Sequence, residues 1–177
     1  MVKEFFNAAA NLKKIQRQGW IDKLSIENPE SVADHSYSMA MMGMIISDTE
    51  NYNSEKILKM ILLHDLAESE IGDFIPGEIP IEEKNKLENN AFSKIIKTLP
   101  DNVKTEYETL WNDYQKKESS EAKIVHQLDR LEMAFQAKIY QNEGHSKEKL
   151  STFFESAKKE IIHPKLKELF RNIIDEK

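Results

Sequence analysis

The sequence contains no cysteine, and only five glycines and five prolines occur among its 177 residues. The absence of cysteine excludes disulfides, cysteine-ligated zinc sites and a cysteine nucleophile. The scarcity of glycine and proline leaves little material for tight turns and therefore favours long helices. No apolar stretch is long enough to span a membrane, and the first residues lack the layout of a signal peptide. We therefore expect a cytoplasmic protein with no membrane partner.

The charge balance is acidic, with a net charge of −6 and a pI of about 5.5. An extended nucleic-acid interface needs a basic face, so we expect no nucleic-acid partner. A small anionic molecule can still bind where a metal ion or an arginine creates a local positive field. Hydrophobic residues make up 40% of the chain and charged residues 32%, which is typical of a globular protein. The length favours one domain covering residues 1–177.

Apolar residues recur at helical spacing along almost the whole chain. They predict helices over residues 3–18, 31–47, 55–69, 81–98, 102–117, 119–142, 147–162 and 164–175. We expect Gly19 to end the first helix, Ser31 with Asp34 to form a capping box, and Ser54 to cap the third helix. The fold class is therefore all-α, a single-domain irregular helical bundle.

An adjacent His64-Asp65 pair follows an apolar run, and Glu68 comes about one helical turn later. A continuous helix over residues 55–69 would place these three side chains on neighbouring parts of one face. Buried charge is costly unless it is paired or bound to a metal ion. A neutral imidazole beside a carboxylate suits a divalent metal, and a second carboxylate can handle a proton.

His35 and Asp129 lie on two other apolar helices. Taken alone, His35 is more often a structural histidine, and Asp129 can simply pair with Arg130. Together with His64 and Asp65, however, they offer two imidazoles and two carboxylates from three helices. This ligand set suits one divalent ion, such as Mn²⁺, Co²⁺, Mg²⁺, Zn²⁺, Fe²⁺ or Ni²⁺.

The pattern His35…His64-Asp65…Asp129 resembles that of the HD-domain metal-dependent phosphohydrolases. Longer segments extend this resemblance to the small HD-domain 5′-deoxynucleotidases, the YfbR-type group and its eukaryotic and archaeal relatives. These segments are RQGW at 17–20, PESVADHS at 29–36, HDLAE at 64–68 with Gly72-Asp73, and QLD at 127–129. The resemblance covers residues 5–174.

The resemblance implies a homodimeric enzyme with the HD-domain fold that hydrolyses deoxyribonucleoside 5′-monophosphates to deoxynucleoside and phosphate. Its substrate is thus a small nucleotide. The implied metal ligands are His35, His64, Asp65 and Asp129. The implied proton-handling acids are Glu68 and Asp73, and the implied substrate contacts are Arg17 with the phosphate, Trp20 with the sugar, and Glu30 and Ser31 in the same pocket.

One position departs from the resemblance, because His126 stands where relatives commonly have a lysine. His126 lies three residues before Asp129 and so on the same helix face. It is a partner of a ligand, a weaker phosphate contact, a fifth ligand or a histidine without a role in the site. On spacing alone, Trp20 is also open to a second interpretation as a core anchor, with Arg17 a solvated charge.

Two further functions stay open on the sequence. One keeps the metal but changes the substrate to another nucleotide or phosphate ester. The other is a non-catalytic helical module that binds a nucleotide or a protein partner. Replacement of Asp129 by alanine separates the classes, since only a metal-dependent catalyst must lose both metal and activity.

Overall fold

The computed structural model describes residues 2–175, which fold into helices joined by short connections. The helices are α1 (Lys3–Asn11), α2 (Gln18–Leu24), α3 (Val32–Glu50), α4 (Ser54–His64), α5 (Glu68–Ile71), α6 (Ile81–Ile96), α7 (Asp101–Lys116), α8 (Ser120–Asn142), α9 (Lys147–Glu160) and α10 (Pro164–Asp175), with a 3-10 turn at Leu12–Lys14. The all-α prediction is confirmed. Within residues 2–175, no helix combines the length and apolar character needed to cross a bilayer.

Helices α3, α4 and α8 pack against one another at the centre of the molecule. Gly43 of α3 lies against α4, and a Cβ atom there would collide with the side chain of Ile61. The absence of a side chain at Gly43 therefore lets the two helices approach closely. Met39, Ile57 and Leu128 are fully buried in the same region, and each such side chain contributes about 1.5–3 kcal/mol through burial. This packed centre holds the helices that carry His35, His64 and Asp129.

The prediction of one helix over residues 3–18, ended by Gly19, is wrong. The chain leaves the helical conformation after the 3-10 turn and pairs with the segment before α3. The Val32 amide donates to the Ile15 carbonyl over 2.8 Å, and the Arg17 amide donates to the Glu30 carbonyl over 3.1 Å. Gly19 instead lies inside α2. This pairing places Arg17 beside the start of α3.

The prediction of a continuous helix over residues 55–69 is also wrong, because α4 ends at His64. The His64 Nδ1 atom lies 2.6 Å from the Ile61 carbonyl oxygen, the acceptor that the Asp65 amide would use in a continuing helix. The amides of Leu66 and Glu68 bond carbonyls three residues back, which tightens the chain into a turn before α5. The tight turn, rather than a helix face, brings Asp65 and Glu68 together.

The capping box at the start of α3 is confirmed. The Asp34 amide donates to the Ser31 hydroxyl over 3.1 Å, and the Ser31 amide donates to the Asp34 carboxylate over 2.9 Å. Helix α4 is capped by Asn53 rather than Ser54, since the Lys56 amide donates to the Asn53 side chain over 3.0 Å. The first cap fixes the turn of α3 that carries His35.

Candidate active site

The side chains of His35, His64, Asp65 and Asp129 meet at one place. His35 Nε2 lies 3.4 Å from Asp129 Oδ1 and 3.8 Å from Asp65 Oδ2, and His64 Nε2 lies 3.1 Å from Asp65 Oδ2. Ligand atoms of His35, His64 and Asp129 all lie within 4.8 Å of one another, a spacing that could hold a metal ion. The structure thus brings together all four residues that the sequence pattern picked out.

The two imidazoles are both held through Nδ1. His35 Nδ1 lies 2.6 Å from Glu132 Oε2, and His64 Nδ1 lies 2.6 Å from the Ile61 carbonyl oxygen. A carboxylate and a carbonyl oxygen are acceptors, so each Nδ1 carries the hydrogen and each Nε2 faces the centre. This arrangement of a histidine fixed by an acceptor behind it is typical of metal-ligating histidines.

Three buried polar atoms at this centre lack a hydrogen-bond partner among residues 2–175. They are the Nε2 atoms of His35 and His64 and the Oε2 atom of Glu68. Asp129 comes within 3.4 Å of His35 Nε2 but without hydrogen-bond geometry. A buried polar atom left unpaired costs about 1–3 kcal/mol. A divalent ion bound by the two Nε2 atoms would offset their share of that cost, so the histidines fit a metal site.

The two aspartates are ionised. Burial opposes ionisation of Asp65, but His64 and Arg17 outweigh it and lower the pKa of Asp65. Burial likewise opposes ionisation of Asp129, while His35 and Arg130 bring its pKa well below the usual range. Burial and Arg17 lower the pKa of His35, but Asp129 and Glu132 outweigh them and raise it to about 10. The centre therefore attracts positive charge.

Arg17 lies at the edge of this centre, with its guanidinium nitrogen Nη1 3.5 Å from Asp65 Oδ2. Burial lowers the pKa of Arg17, but Asp65, Asp73 and Glu68 outweigh it and raise that pKa. A permanently charged, planar fork beside the ligand set can take up an anion bidentately. The alternative interpretation of Arg17 as a solvated charge is therefore wrong.

The two candidate acids differ in their surroundings. Glu68 is buried, and burial, Asp65 and Asp73 together raise its pKa well above the ordinary value. Asp73 Oδ2 accepts a hydrogen bond from the Gln18 amide over 2.7 Å. Gly72 precedes Asp73 with a φ of 83°, a backbone conformation that only glycine adopts freely, and so turns the chain towards α2. A carboxyl group with a raised pKa suits proton transfer near neutral pH.

Trp20 lies in α2, and Glu30 and Ser31 form the end of the connection that leads to α3. Trp20 is only 2% exposed, and its ring lies 4.3 Å from that of Phe153 between centroids. Its indole nitrogen donates to Glu30 Oε1 over 2.9 Å. Burial and Glu132 raise the pKa of Glu30 to about 7. Trp20 is thus a core anchor that also positions Glu30. Its contact with the sugar stays a prediction. The Ser31 hydroxyl caps α3, and its contact with the substrate likewise stays a prediction.

His126 lies behind the metal-ligand candidates rather than among them. Its ring stacks on Tyr114 with centroids 4.1 Å apart, and its Nε2 atom lies 2.9 Å from the Tyr114 carbonyl oxygen. The Tyr114 ring in turn packs edge-on against His64 at 5.6 Å. Burial lowers the pKa of His126, which favours the neutral ring. The structure favours the partner interpretation, because His126 supports His64 through Tyr114.

Sequence reasoning missed Glu132 and Tyr114. Glu132 is 1% exposed and accepts the hydrogen bond from His35, yet a charged residue inside a predicted helix is usually exposed. Its position three residues after Asp129 was the available signal, since that spacing puts both acids on one helix face. Tyr114 lies in the helix predicted over residues 102–117, and its contact with His64 depends on the packing of α7 against α4 and α8.

Comparison with known proteins identifies the family of this fold and site. The model of the HD domain family matches residues 9–169. The chain belongs to the HD domain family. The matched part contains every candidate site residue, from Arg17 to Asp129.

Relatives within the HD domain family cover nearly the whole chain. The protein named 5′-deoxynucleotidase HDDC2 of Dictyostelium discoideum is 41% identical, over 94% of this chain and 93% of the relative. The human protein of the same name is 37% identical, over 94% of this chain and 81% of the relative. A solved structure of a conserved hypothetical protein from Pyrococcus furiosus has a TM-score of 0.72 and 30% identity, covering 97% of this chain and 98% of that one.

Proposed function

We propose that this protein is a metal-dependent 5′-deoxynucleotidase that hydrolyses deoxyribonucleoside 5′-monophosphates to deoxynucleoside and phosphate. The observation that carries the proposal is the pair of buried, unpartnered Nε2 atoms that face two ionised aspartates beside Arg17. The names of the relatives, which cover this chain almost completely, support the same activity and the same class of substrate.

The proposed metal ligands are His35, His64, Asp65 and Asp129, which together hold one divalent ion. A divalent ion bound there would polarise a phosphoryl oxygen and lower the pKa of a bound water to about 7. The Nδ1 hydrogen bonds of both histidines support this proposal, since they keep the rings in one orientation. Phosphate-monoester hydrolysis has a very high uncatalysed barrier, which makes such help necessary.

The remaining residues bind the substrate and move protons. We assign the phosphate to Arg17, whose planar fork matches two phosphate oxygens. As water bonds to phosphorus and the bond from phosphorus to the 5′ oxygen breaks, one proton leaves the water and one joins the 5′ oxygen. We assign these two transfers to Glu68 and Asp73: an ionised carboxylate accepts the first proton and a protonated carboxyl group donates the second. Burial and the neighbouring aspartates raise the pKa of Glu68 and so favour its protonated form.

Selection of deoxyribose over ribose is assigned to the segment around Trp20 and Glu30. The indole packs against Phe153 and Tyr140 and donates a hydrogen bond to Glu30. These contacts hold Trp20 and Glu30 rigidly in place. A rigid site without a partner for the 2′ hydroxyl disfavours ribonucleotides.

The proposed assembly is a homodimer in the cytoplasm. Tyr37, Met41 and Ile45 of α3 lie at helical spacing along one face, and they are 69%, 46% and 57% exposed. Apolar side chains aligned in this way on a surface are typical of an interface with another molecule. A second copy of the chain is the proposed partner.

The experiment that tests the activity measures phosphate release from a panel of 5′-monophosphates, each in deoxy and ribo form, with Mn²⁺ or Co²⁺ added. We expect release from the deoxy forms and little from the ribo forms. Equal release from both forms would contradict the proposed sugar selectivity. No release from any nucleotide, with metal bound, would contradict the nucleotidase itself.

A further inference from the structure

A cavity of about 520 Å³ opens next to the proposed catalytic residues. It lies between the segment of residues 14–22 and the loop of residues 72–78. Its volume falls within the range of about 300–1,000 Å³ that is typical of sites for small molecules. The residues that line it are Lys14, Ile15, Gln16, Gln18, Ile21, Asp22, Gly72, Asp73, Phe74, Ile75 and Glu78. None of these apart from Asp73 has a role in the proposed reaction.

The cavity lies next to the proposed phosphate site, because Gln18, the neighbour of Arg17 in the chain, lines it. Asp73, one of the two proposed proton-handling acids, lines the cavity. The backbone N–H of Gln18 donates to the Asp73 carboxylate over 2.7 Å. A molecule whose phosphate binds at Arg17 and whose sugar passes Asp73 therefore continues towards this cavity.

The walls combine apolar surface with side-chain amides. Phe74 is half-buried, and among residues 2–175 its ring contacts no other aromatic ring and lies outside the hydrophobic core. Ile21 and Ile75 add apolar surface. The side-chain nitrogen of Gln18 donates to the Gln16 carbonyl over 3.2 Å, and that of Gln16 donates to the Glu27 carbonyl over 3.5 Å. The amide oxygen and the second N–H of each side chain can pair with the edge of a base. Aromatic rings stack on any base without reading its sequence identity.

Two hydrogen bonds hold the loop that carries Phe74 in a closed turn. The Ile75 amide donates to the Glu78 carboxylate over 3.1 Å, and the Glu78 amide donates to the Ile75 carbonyl over 3.1 Å. Gly77 closes the turn with a φ of 91°, a conformation that a residue with a side chain rarely adopts. This closed turn holds Phe74 and Ile75 against the cavity.

We propose that this cavity binds the nucleobase of the substrate, stacked against Phe74 and flanked by the amides of Gln16 and Gln18. The proposal rests on the proposed function, since it concerns the nucleotide whose phosphate lies at Arg17. It predicts broad acceptance of bases, because stacking and amides that both donate and accept do not distinguish purines from pyrimidines.

The test compares a substrate with a base and one without. Phosphate release is measured for dAMP, for dTMP and for 2-deoxyribose 5-phosphate, with wild-type protein and with Phe74→Ala and Phe74→Leu. The two variants remove the ring, and Phe74→Leu keeps most of the apolar volume. Phe6→Ala is the matched control, because Phe6 is an exposed phenylalanine on α1, away from the cavity. Thermal unfolding of each variant checks that it is folded.

We expect both Phe74 variants to raise KM for dAMP and dTMP by about tenfold, consistent with the loss of one stacking contact. The constants for 2-deoxyribose 5-phosphate should stay within about twofold of wild type, the scatter expected when no binding contact is lost. Equal losses on all three substrates, or no loss on any, would overturn the proposal. Failure of the wild-type protein to hydrolyse either nucleotide would instead contradict the proposed function.

Discussion

The Nδ1 atom of His35 lies 2.6 Å from the Oε2 atom of Glu132, and both side chains are buried. Helix α8 supplies Asp129 to the centre and, one turn later, Glu132 to the back of His35. The same helix thus provides one candidate ligand and the support of another. Glu132 is a positioning residue, since it acts through His35.

We expect Glu132→Ala to weaken Mn²⁺ binding by about 10–100-fold, because the acceptor that orients the His35 ring is lost. Glu132→Gln keeps an acceptor oxygen and should recover much of that affinity. Titration calorimetry on chelator-stripped protein measures both, with the exposed Glu155→Gln as control. Unchanged affinity in Glu132→Ala would show that His35 needs no support from α8.

Arg17→Ala should raise KM for a deoxynucleotide and weaken inhibition by inorganic phosphate by about 10–100-fold, the loss expected for about 1.5–3 kcal/mol of charged hydrogen bonds. Arg17→Lys should recover only part of the loss, since lysine cannot form the planar fork. Steady-state kinetics with phosphate as competitor provide the measurement. Arg171→Ala, at an exposed position on α10, should behave as wild type.

Trp20→Ala should lower the free energy of unfolding by about 3–5 kcal/mol, the usual cost of deleting a buried aromatic side chain. The indole is 2% exposed and packs on Tyr140 and Phe153, which explains the expected size of the loss. Urea unfolding followed by circular dichroism measures it. The exposed Phe6→Ala should change stability by less than about 0.5 kcal/mol. If Trp20→Ala also changed stability by less than about 0.5 kcal/mol, the indole would not be part of the core.

The variant Tyr37→Glu with Ile45→Glu should convert the proposed homodimer to a monomer, since two like charges would face their copies across the α3 surface. Analytical ultracentrifugation measures the mass. Ile162→Glu is the control, because Ile162 is 68% exposed and lies after α9, away from that face. A wild-type protein that sediments as a monomer would contradict the dimer directly.

The sequence predicted the all-α class and the meeting of His35, His64, Asp65 and Asp129, because those residue types are costly on apolar helices without a partner. The sequence did not predict where the helices around these residues begin and end. The end of α4 depends on the His64 side chain competing for the Ile61 carbonyl, a contact that no periodicity reveals. The extended segment at Arg17 depends likewise on pairing with residues 30–32, far along the chain.

The sequence also did not identify the residues that support the site and the ends of its helices. Gln127 belongs to the segment that resembles the 5′-deoxynucleotidases, yet its side-chain oxygen accepts the amides of Ile162 and His163 and so holds the end of α9. Tyr114 and His126 support His64 from α7 and α8. Such contacts are set by how helices pack, which spacing within one helix does not determine.

The most direct test of the central claim is phosphate release from dAMP by chelator-stripped protein as Mn²⁺ is added back, for wild type and for Asp129→Asn. We predict no release without metal, full release at one ion per chain, and neither binding nor release in Asp129→Asn, whose neutral amide replaces an ionised ligand. Undiminished release from the stripped protein, or equal recovery in Asp129→Asn, would contradict the assignment of this centre as a metal site that catalyses the hydrolysis.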